Sequence, residues 1–327
     1  MRVSVIVPLF NKERTIRRCL DSIAAQTARD FEVIVVDDGS TDSGPALVSG
    51  YPDARFRLLR QPNAGPGAAR NRGLEQARAP LVAFLDADDA WRPECLETNL
   101  GLLEAAAQNV ASITCASLDF PDRRWNEAFW KKRGVSEGVH RVGPATPAVT
   151  LTAMLAYMTP CATVARAGAL RRWGGFYERG CRYGEDAMLW LKVLLNETVM
   201  FHFTPLVEVY RQDSSLSLNL AGARPVEPFL SDPGEVRAVC PAPLRGLLEE
   251  FYAVRALKTA SVLGYWGEWR QAREIFSRFV SWRHWRAPCF LTALAGCTPL
   301  GGWAGSAWRA AASLFAPNRR RRGRREE

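Results

Sequence analysis

Histidine is scarce in this chain, with three residues (His140, His202 and His284) among 327. They lie far apart, and none of the eight cysteines has the C-x-x-C or Cys/His spacing of a metal site. This argues against a zinc centre and against nucleophilic catalysis centred on histidine, although a single histidine could still act in acid–base chemistry. We expect the cysteines to be mostly reduced core residues of a cytosolic protein.

An apolar signal segment after a basic start is also missing, because the chain begins on a predicted strand over 2–7. Export is therefore not expected. Residues 241–327 contain 15 basic and 6 acidic residues, so they carry the whole net charge of +9 and the rest of the chain is neutral overall. A nucleic-acid-binding surface would not be distributed in this way, and we expect no nucleic acid as a partner.

Short apolar segments alternate with amphipathic ones in the first part of the chain. Strands are predicted over 31–36, 56–59 and 81–85 as well, and helices over about 13–26, 43–49 and 65–77. This alternation with short connections indicates a doubly wound, mostly parallel sheet. Two later segments are less regular. Residues 117–160 fit either a mobile surface segment or an acceptor-side loop, and 199–211 predict two short strands.

Carboxylates follow two of the predicted strands. Asp37 and Asp38 come after one strand, and Asp86 and Asp88 come after another. Mg²⁺ and Mn²⁺ prefer oxygen ligands, and open α/β sheets bind ligands at the carboxyl ends of their strands. One interpretation is a metal–diphosphate site; the other is a solvated acidic turn that caps a helix beginning near Pro93. The position of both clusters on one rim of the sheet favours a shared site.

Six segments resemble, in order and spacing, those of family 2 glycosyltransferases of the GT-A fold, of the bacterial polysaccharide or glycolipid type. They are Val5–Asn11, Val35–Asp42, Ala69–Gly73, Phe84–Asp89, Gly174–Phe176 and Gly184–Asp186. The resemblance covers about residues 2–215 and ends near Ser217. It implies an α/β fold with a Rossmann-like, mostly parallel sheet flanked by helices, and an enzyme that uses a nucleotide-diphosphate sugar, with UDP favoured.

The resemblance also assigns the donor pocket. It implies that Pro8 and Phe10 line the nucleobase pocket and that Asp38 accepts a hydrogen bond from a base N–H. Arg70 would lie near the base or the diphosphate, and Asp86 would approach the ribose.

The reacting groups are implied in the same way. Asp88 would hold a divalent cation, Mn²⁺ or Mg²⁺, that stabilises the leaving diphosphate. Asp186 would be the general base for the acceptor hydroxyl, with Glu185 beside it, and attack from that face inverts the anomeric centre. From position alone, the two acids could instead only cap a helix. Relatives often carry a histidine after Tyr210–Arg211, where this chain has Gln212–Ser214.

Three domains are predicted: a catalytic domain over 1–217, a helical extension over 218–284 and an amphipathic, basic tail over 285–327. Six of the eleven tryptophans fall in the last 90 residues, and Arg319–Arg325 is polybasic. Tryptophan favours membrane interfaces, and each arginine near anionic lipid contributes about 1 kcal/mol. We expect an interfacial anchor rather than a spanning helix, although the arginines could simply be a disordered solubilising end.

These features predict a cytoplasmic enzyme, peripheral at the inner face of the cell membrane, with a lipid-linked or cell-surface glycan as acceptor.

Other functions stay open. A membrane-associated module could bind sugar nucleotides without activity. A sugar nucleotidyltransferase would need a Gly-rich, Arg-containing loop where this chain has Pro8–Asn11. A phosphatase or receiver domain would leave Glu185 and Asp186 unexplained.

Overall fold

The computed structural model describes residues 1–125, 127–181, 183–213, 223, 225–287 and 289–301. Within these residues one sheet contains nine strands: β1 (Val3–Leu9), β2 (Phe31–Asp37), β3 (Phe56–Arg60), β4 (Leu81–Phe84), β5 (Ala90–Trp91), β6 (Val110–Phe120), β7 (Gly138–Arg141), β8 (Thr163–Arg166) and β9 (Thr198–Tyr210). Their order is β3-β2-β1-β4-β8-β6-β9-β5, and β7 pairs with β9.

The helices follow the same chain order. They are α1 (Ile16–Ala24), α2 (Gly44–Ser49), α3 (Pro66–Gln76), α4 (Cys95–Ala105), α5 (Glu127–Lys131), α6 (Ala148–Tyr157), α7 (Ala167–Arg172), α8 (Glu185–Asn196), α9 (Pro228–Ser231), α10 (Gly234–Val239), α11 (Arg245–Tyr265), α12 (Trp269–Phe279) and α13 (Phe290–Gly296). Short 3₁₀ turns cover Pro160–Ala162, Arg211–Asp213, Ala242–Leu244 and Trp282–His284.

The sheet has a parallel half and a mixed half. Strands β3, β2, β1 and β4 are parallel, as the strand–helix alternation predicts. Strand β8 runs antiparallel to both β4 and β6, while β9 is parallel to β6 and antiparallel to β5 and β7. The carboxyl ends of β1, β2 and β4 therefore meet on one rim, where the first carboxylate clusters were predicted to lie.

Both faces of the central strands β1, β2 and β4 are covered, which explains why these strands are mostly apolar. On β2, Val33 and Val35 belong to the large core that also contains residues of α1 and α4. Ile34 and Val36 point to the opposite face, where they cluster with Ala69 of α3. Side chains of a strand alternate between the two faces of the sheet, so β2 packs against one layer of helices on each side. This packing fixes the strand ends that carry the acids.

One of the two irregular segments differs from its prediction. Residues 199–211 do not form two strands; that prediction is wrong, since β9 is one strand through Pro205, which pairs with Ala116 at a register shift. The bulge lets proline stay within the ladder. Residues 117–160, where described, contain the end of β6 and then α5, β7 and α6.

The described chain divides into two compact units. The first contains every strand and, apart from residues 223 and 225, runs through Phe251; the second begins at Tyr252. In the second unit the backbones of α11 and α13 approach closely. A Cβ added to Gly264 would lie only 2.3 Å from the Cα of Gly296, so glycine is needed at this contact. Among the helices that the structure describes, none combines the length and the apolar character needed to cross a bilayer. The predicted domain boundaries at 217 and 285 stay predictions.

All eight cysteines carry free thiols, and six of them are buried. Burial raises the pKa of Cys19 and of Cys161 well above the usual range of a thiol. These side chains therefore behave as small apolar core residues rather than as nucleophiles.

Candidate active site

A cavity of about 290 Å³ opens at the carboxyl ends of β1, β2 and β4. Its wall contains seven of the eight residues that the sequence singled out: Pro8, Phe10, Asp38, Arg70, Asp86, Asp88 and Glu185. The eighth, Asp186, is not part of the wall but adjoins Glu185 in the first turn of α8. The structure therefore gathers residues from five distant stretches of the chain around one space.

Asp38 lies just past the end of β2 and is buried. Its Oδ1 accepts hydrogen bonds from Gln61 Nε2 and from the main-chain N of Ala64, both at 2.8 Å, and its Oδ2 accepts one from the main-chain N of Gly65 at 2.8 Å. Gly65 has a φ of +94°, which favours glycine at this turn into α3. Because a carboxylate offers about four lone-pair sites, Asp38 can hold this loop and still accept from a nucleobase.

Arg70 joins the two groups of acids. It is only 5% exposed. Its Nη1 donates to Glu185 Oε1 and its Nη2 donates to Asp86 Oδ1, each at 2.7 Å. Burial alone would lower the pKa of Arg70, but the charges of Asp86 and Glu185 outweigh burial and raise it. One planar guanidinium thus connects the end of β4 with the N-terminus of α8, a geometry that lysine cannot reproduce.

The contacts of the segment Ala69–Gly73 and of nearby Gly67 show how helix α3 is held in position. Asn71 Nδ2 donates to the main-chain O of Phe176 and its Oδ1 accepts from the main-chain N of Phe176, both at 2.8 Å. Near the start of the same helix, a Cβ on Gly67 would lie 2.5 Å from the main-chain O of Tyr177. Helix α3 is therefore held against the loop that leads into α8, which positions Arg70 beside both carboxylates.

Asp88 is paired with a lysine that the sequence pattern did not point to. Lys12 Nζ donates to Asp88 Oδ2 at 2.6 Å and to the main-chain O of Asp213 at 2.9 Å. Burial and the neighbouring Asp86 raise the pKa of Asp88, while Lys12 opposes this shift. Lys12 and Asp88 lie 76 positions apart, so no local signal could have connected them.

Arg18 is a second cation at this end of the cavity that sequence reasoning missed. Its Nη2 donates to the main-chain O of Asp88 and, at 2.8 Å, to Asp213 Oδ2. Its guanidinium carbon lies 3.6 Å from the centre of the Tyr210 ring. Asp213 belongs to the segment where relatives often carry histidine, and Ser214 lies outside the described residues. Arg18 and Lys12 therefore fasten this segment to the acidic turn.

Asp86 and Asp88 fit a divalent cation that takes its other ligands from phosphate oxygens. Burial, together with the charge of Asp86, raises the pKa of Asp88, and a divalent cation bound there would favour its ionised form. Within the described ranges, no group of three or more His, Cys, Asp or Glu residues forms a complete metal site. Mg²⁺ commonly needs only one or two protein carboxylates when a substrate diphosphate completes its ligands.

Asp186 has the electrostatics of a proton acceptor. It follows Gly184, whose φ is +75°, and is half-buried at the N-terminus of α8. Burial and the charge of Glu185 raise its pKa to about 7, against the opposing effect of Arg70. Since Glu185 is engaged by Arg70, Asp186 is the acid of this pair better able to take up a proton near neutral pH.

The sequence is similar to those of known glycosyltransferases. Residues 4–173 match the family described as Glycosyl transferase family 2. The chain is 39% identical over 115 residues to the putative glycosyltransferase EpsH of Bacillus subtilis, covering 35% of this chain and 33% of that protein. It is 42% identical over 120 residues to the succinoglycan biosynthesis protein ExoO of Rhizobium meliloti, covering 36% and 34%. The matches span about a third of the length of these curated relatives.

Two solved structures share the fold. S. aureus TarS 1–349 in complex with UDP aligns with a TM-score of 0.61 and 19% identity, covering 95% of this chain and 92% of that one. The mannosyltransferase PcManGT from Pyrobaculum calidifontis, in complex with GDP-Man and Mn²⁺, aligns with a TM-score of 0.55 and 21% identity, covering 96% and 86%. The predicted GT-A fold is thereby confirmed. Because the family match extends over just more than half of the chain, this protein belongs to glycosyl transferase family 2.

Proposed function

We propose that this protein is an inverting glycosyltransferase that moves a sugar from a nucleotide-diphosphate sugar, with UDP favoured, to a hydroxyl acceptor. The observation that carries the proposal is the Arg70 bridge, which joins the donor-side Asp86 to the α8 acids within one cavity wall. The UDP bound to TarS and the GDP-Man bound to PcManGT support a donor of this class.

The donor-binding roles follow from the cavity wall. The ring of Phe10 is 45% exposed at the end of β1, which leaves an aromatic face for a nucleobase to stack on. Asp38 has about one lone-pair site left to accept from a base N–H. Asp86 lies across the same cavity for the ribose, and Arg70 screens the charge that the diphosphate brings close to Asp86.

Asp88, with Asp86 beside it, would hold Mn²⁺ or Mg²⁺. When bound, such a cation neutralises the negative charge that develops on the leaving diphosphate. The Mn²⁺ in the PcManGT complex supports this role. The chain's own contribution is to place the two partly exposed carboxylates just past the end of β4 and to keep Asp88 in place through the hydrogen bond from Arg18 to its main-chain O.

Asp186 would take the proton of the acceptor hydroxyl. Its raised pKa suits this role, because the carboxylate is still ionised in part at neutral pH and yet basic enough to accept. Glu185 would hold Arg70 and so keep α8 at the proper distance from the donor. A base on the side opposite the diphosphate gives in-line attack, which inverts the anomeric centre.

The acceptor and the location are part of the proposal. The name of ExoO supports a bacterial polysaccharide as the acceptor class, either lipid-linked or at the cell surface. Peripheral attachment to an anionic membrane is supported by apolar side chains exposed in the second unit, such as Trp282 at 73% and Leu291 at 75%. Arginines flank them in the sequence, and the six arginines within 319–325 follow.

A screen of sugar nucleotides tests the proposed reaction. Thermal shifts measured with Mn²⁺ should identify one nucleotide family that stabilises the protein. Incubation of that donor with a lipid-linked or oligosaccharide acceptor should then give a product whose anomeric configuration, read by NMR, is opposite to that of the donor. Retention of configuration would contradict the role of Asp186, and the absence of any stabilising sugar nucleotide would contradict the donor class.

A further inference from the structure

Lys12 is the cation nearest to Asp88 in the described part of the cavity. It lies in the loop between β1 and α1, and its side chain is 17% exposed against 13% for that of Asp88. The ion pair of 2.6 Å is therefore largely shielded from water. Charge-assisted hydrogen bonds are strong in such poorly solvated positions. Lys12 is also part of the cavity wall itself. A resident positive charge thus occupies one of the two carboxylate oxygens of Asp88, the residue that would hold a divalent cation.

The ammonium group and a divalent cation cannot both bind Asp88 Oδ2 at close range. They would repel each other across a few ångströms in a site of low dielectric constant. The cation must therefore displace Lys12 from Asp88 when it binds. Arg18 is placed differently, since it donates to the main-chain O of Asp88 rather than to the carboxylate. It can hold the turn in place while the lysine moves.

We propose that Lys12 is a resident counter-ion of the metal site, which neutralises Asp88 until a divalent cation arrives and then contacts the diphosphate of the donor. The freed ammonium group stays on the cavity wall. Its flexible stem allows this point charge to reach the phosphate oxygens of the donor. Lys12 is thus a binding residue for the donor and a competitor of the cation. This inference rests on the proposed function, because it requires both a metal and a nucleoside diphosphate.

The first test measures Mn²⁺ binding alone, by electron paramagnetic resonance of the free ion, without any nucleotide. Lys12→Met removes the competing charge and should tighten Mn²⁺ binding roughly tenfold, the size expected for one buried charge-assisted hydrogen bond. Lys192→Met is the matched control, because Lys192 Nζ also pairs with a carboxylate, Glu235 Oε2 at 2.8 Å, away from the cavity wall. Mn²⁺ binding to this control should equal that of the native protein.

The second test measures UDP binding at saturating Mn²⁺ by titration calorimetry. The same Lys12→Met variant should bind UDP roughly tenfold more weakly, because a cation that contacts the diphosphate is gone. The two changes have opposite signs, which a loss of folding cannot produce. Circular dichroism confirms the fold, and Lys12→Gln repeats both measurements if the methionine variant is unstable.

Mn²⁺ affinity that stays the same or falls in Lys12→Met would overturn the proposal, and so would UDP affinity that is unchanged. These failures differ from a failure of the proposed function. In that case the native protein itself would bind neither Mn²⁺ nor a sugar nucleotide, whereas here the native protein binds both and only the response to the substitution is missing.

Discussion

At the residue scale, the chemistry of the site depends on how a small number of buried charges are balanced. Asp86 and Glu185 share Arg70, and Asp88 is paired with Lys12. Breaking a buried pair by removing one partner typically costs about 3–5 kcal/mol, because the remaining charge stays in a poorly solvated position. Asp186 forms no such ion pair among the residues that the structure describes, and its carboxylate accepts a hydrogen bond from the main chain of Ala187.

Asp186→Asn should lower turnover by roughly 10²–10⁴-fold, the usual contribution of a general base. Donor affinity should survive, since Asp186 is not part of the cavity wall. Initial-rate measurements together with calorimetric titration of the donor separate the two effects. Native turnover in this variant would remove the assignment, and Glu185→Gln, expected also to weaken the Arg70 bridge, provides the comparison.

The pH dependence of kcat/KM should follow the same group. Asp186 accepts a proton only when it is ionised, and burial next to Glu185 raises its pKa to about 7. Activity should therefore fall as the pH drops below about 7, up to tenfold per pH unit, and should level off above it. A profile that stays flat from pH 5 to pH 8, measured in buffers of constant ionic strength, would contradict this; Asp186→Asn should lose the slope.

Removal of divalent cations should abolish transfer, because the diphosphate would leave without charge neutralisation at Asp88. Addition of Mn²⁺ or Mg²⁺ to the chelated protein should restore it. The rate of sugar release or product formation is measured across a titration of chelator, with Asp88→Asn as the variant expected to remain inactive at every cation concentration. Full activity in excess chelator would reject a metal role for Asp88.

The sequence predicted the acids of the site but not the cations that balance them. Asp38, Asp86, Asp88 and Glu185 each lie at the end of a strand or at the start of a helix, where a local pattern reveals them. Lys12 lies in the loop between β1 and α1, Arg18 lies within α1, and the partners of both are far along the chain. The resemblance to a family helped with Arg70, but its double contact became visible only in the fold.

At the scale of elements, regular packing was easier to predict than irregular pairing. Strands β1 and β2 are apolar on both faces, and the buried residues of α1 have helical spacing, so both elements follow from periodicity. Strand β9 was missed as one element because Pro205 interrupts the local pattern. Its pairing with β6 across a register shift is a tertiary contact that overrides the turn preference of proline.

Gly67→Ala tests whether the close contact of α3 with the loop that leads into α8 contributes to stability. The new methyl group would lie 2.5 Å from the main-chain O of Tyr177, and we expect a loss of about 1–3 kcal/mol in the free energy of unfolding. Urea denaturation measures it. Gly101→Ala is the control in α4, where nothing lies within 4 Å, so the substitution should be neutral or stabilise by up to about 1 kcal/mol. Equal effects of both substitutions would contradict the packing argument.

At the scale of the whole molecule, charge and apolar exposure are concentrated towards one end of the sequence. The first 240 residues are neutral overall, and the excess of +9 follows them. In the second unit Trp282, Leu291 and Leu300 expose most of their side-chain surface. This combination is typical of proteins that lie on anionic membranes rather than within them.

Replacement of the six arginines in 319–325 by glutamine should weaken binding to vesicles that contain phosphatidylserine by at least about tenfold, since each arginine contributes about 1 kcal/mol near anionic lipid. Replacement of the same arginines by lysine keeps the charge and should preserve binding. Cosedimentation at several salt concentrations measures both variants. Deletion of 285–327 should move the protein into the soluble fraction of a cell lysate, and unchanged partitioning would reject the anchor.

The position of Arg70 between Asp86 and Glu185 has a kinetic consequence. A ligand that neutralised Asp86 would weaken its ion pair with Arg70, and the guanidinium would then interact more strongly with Glu185 at the start of α8. Binding of the sugar nucleotide would in this way organise the binding site of the acceptor. Catalysis on this scaffold would then proceed by a compulsory order, with the sugar nucleotide entering before the alcohol and the spent nucleotide departing last.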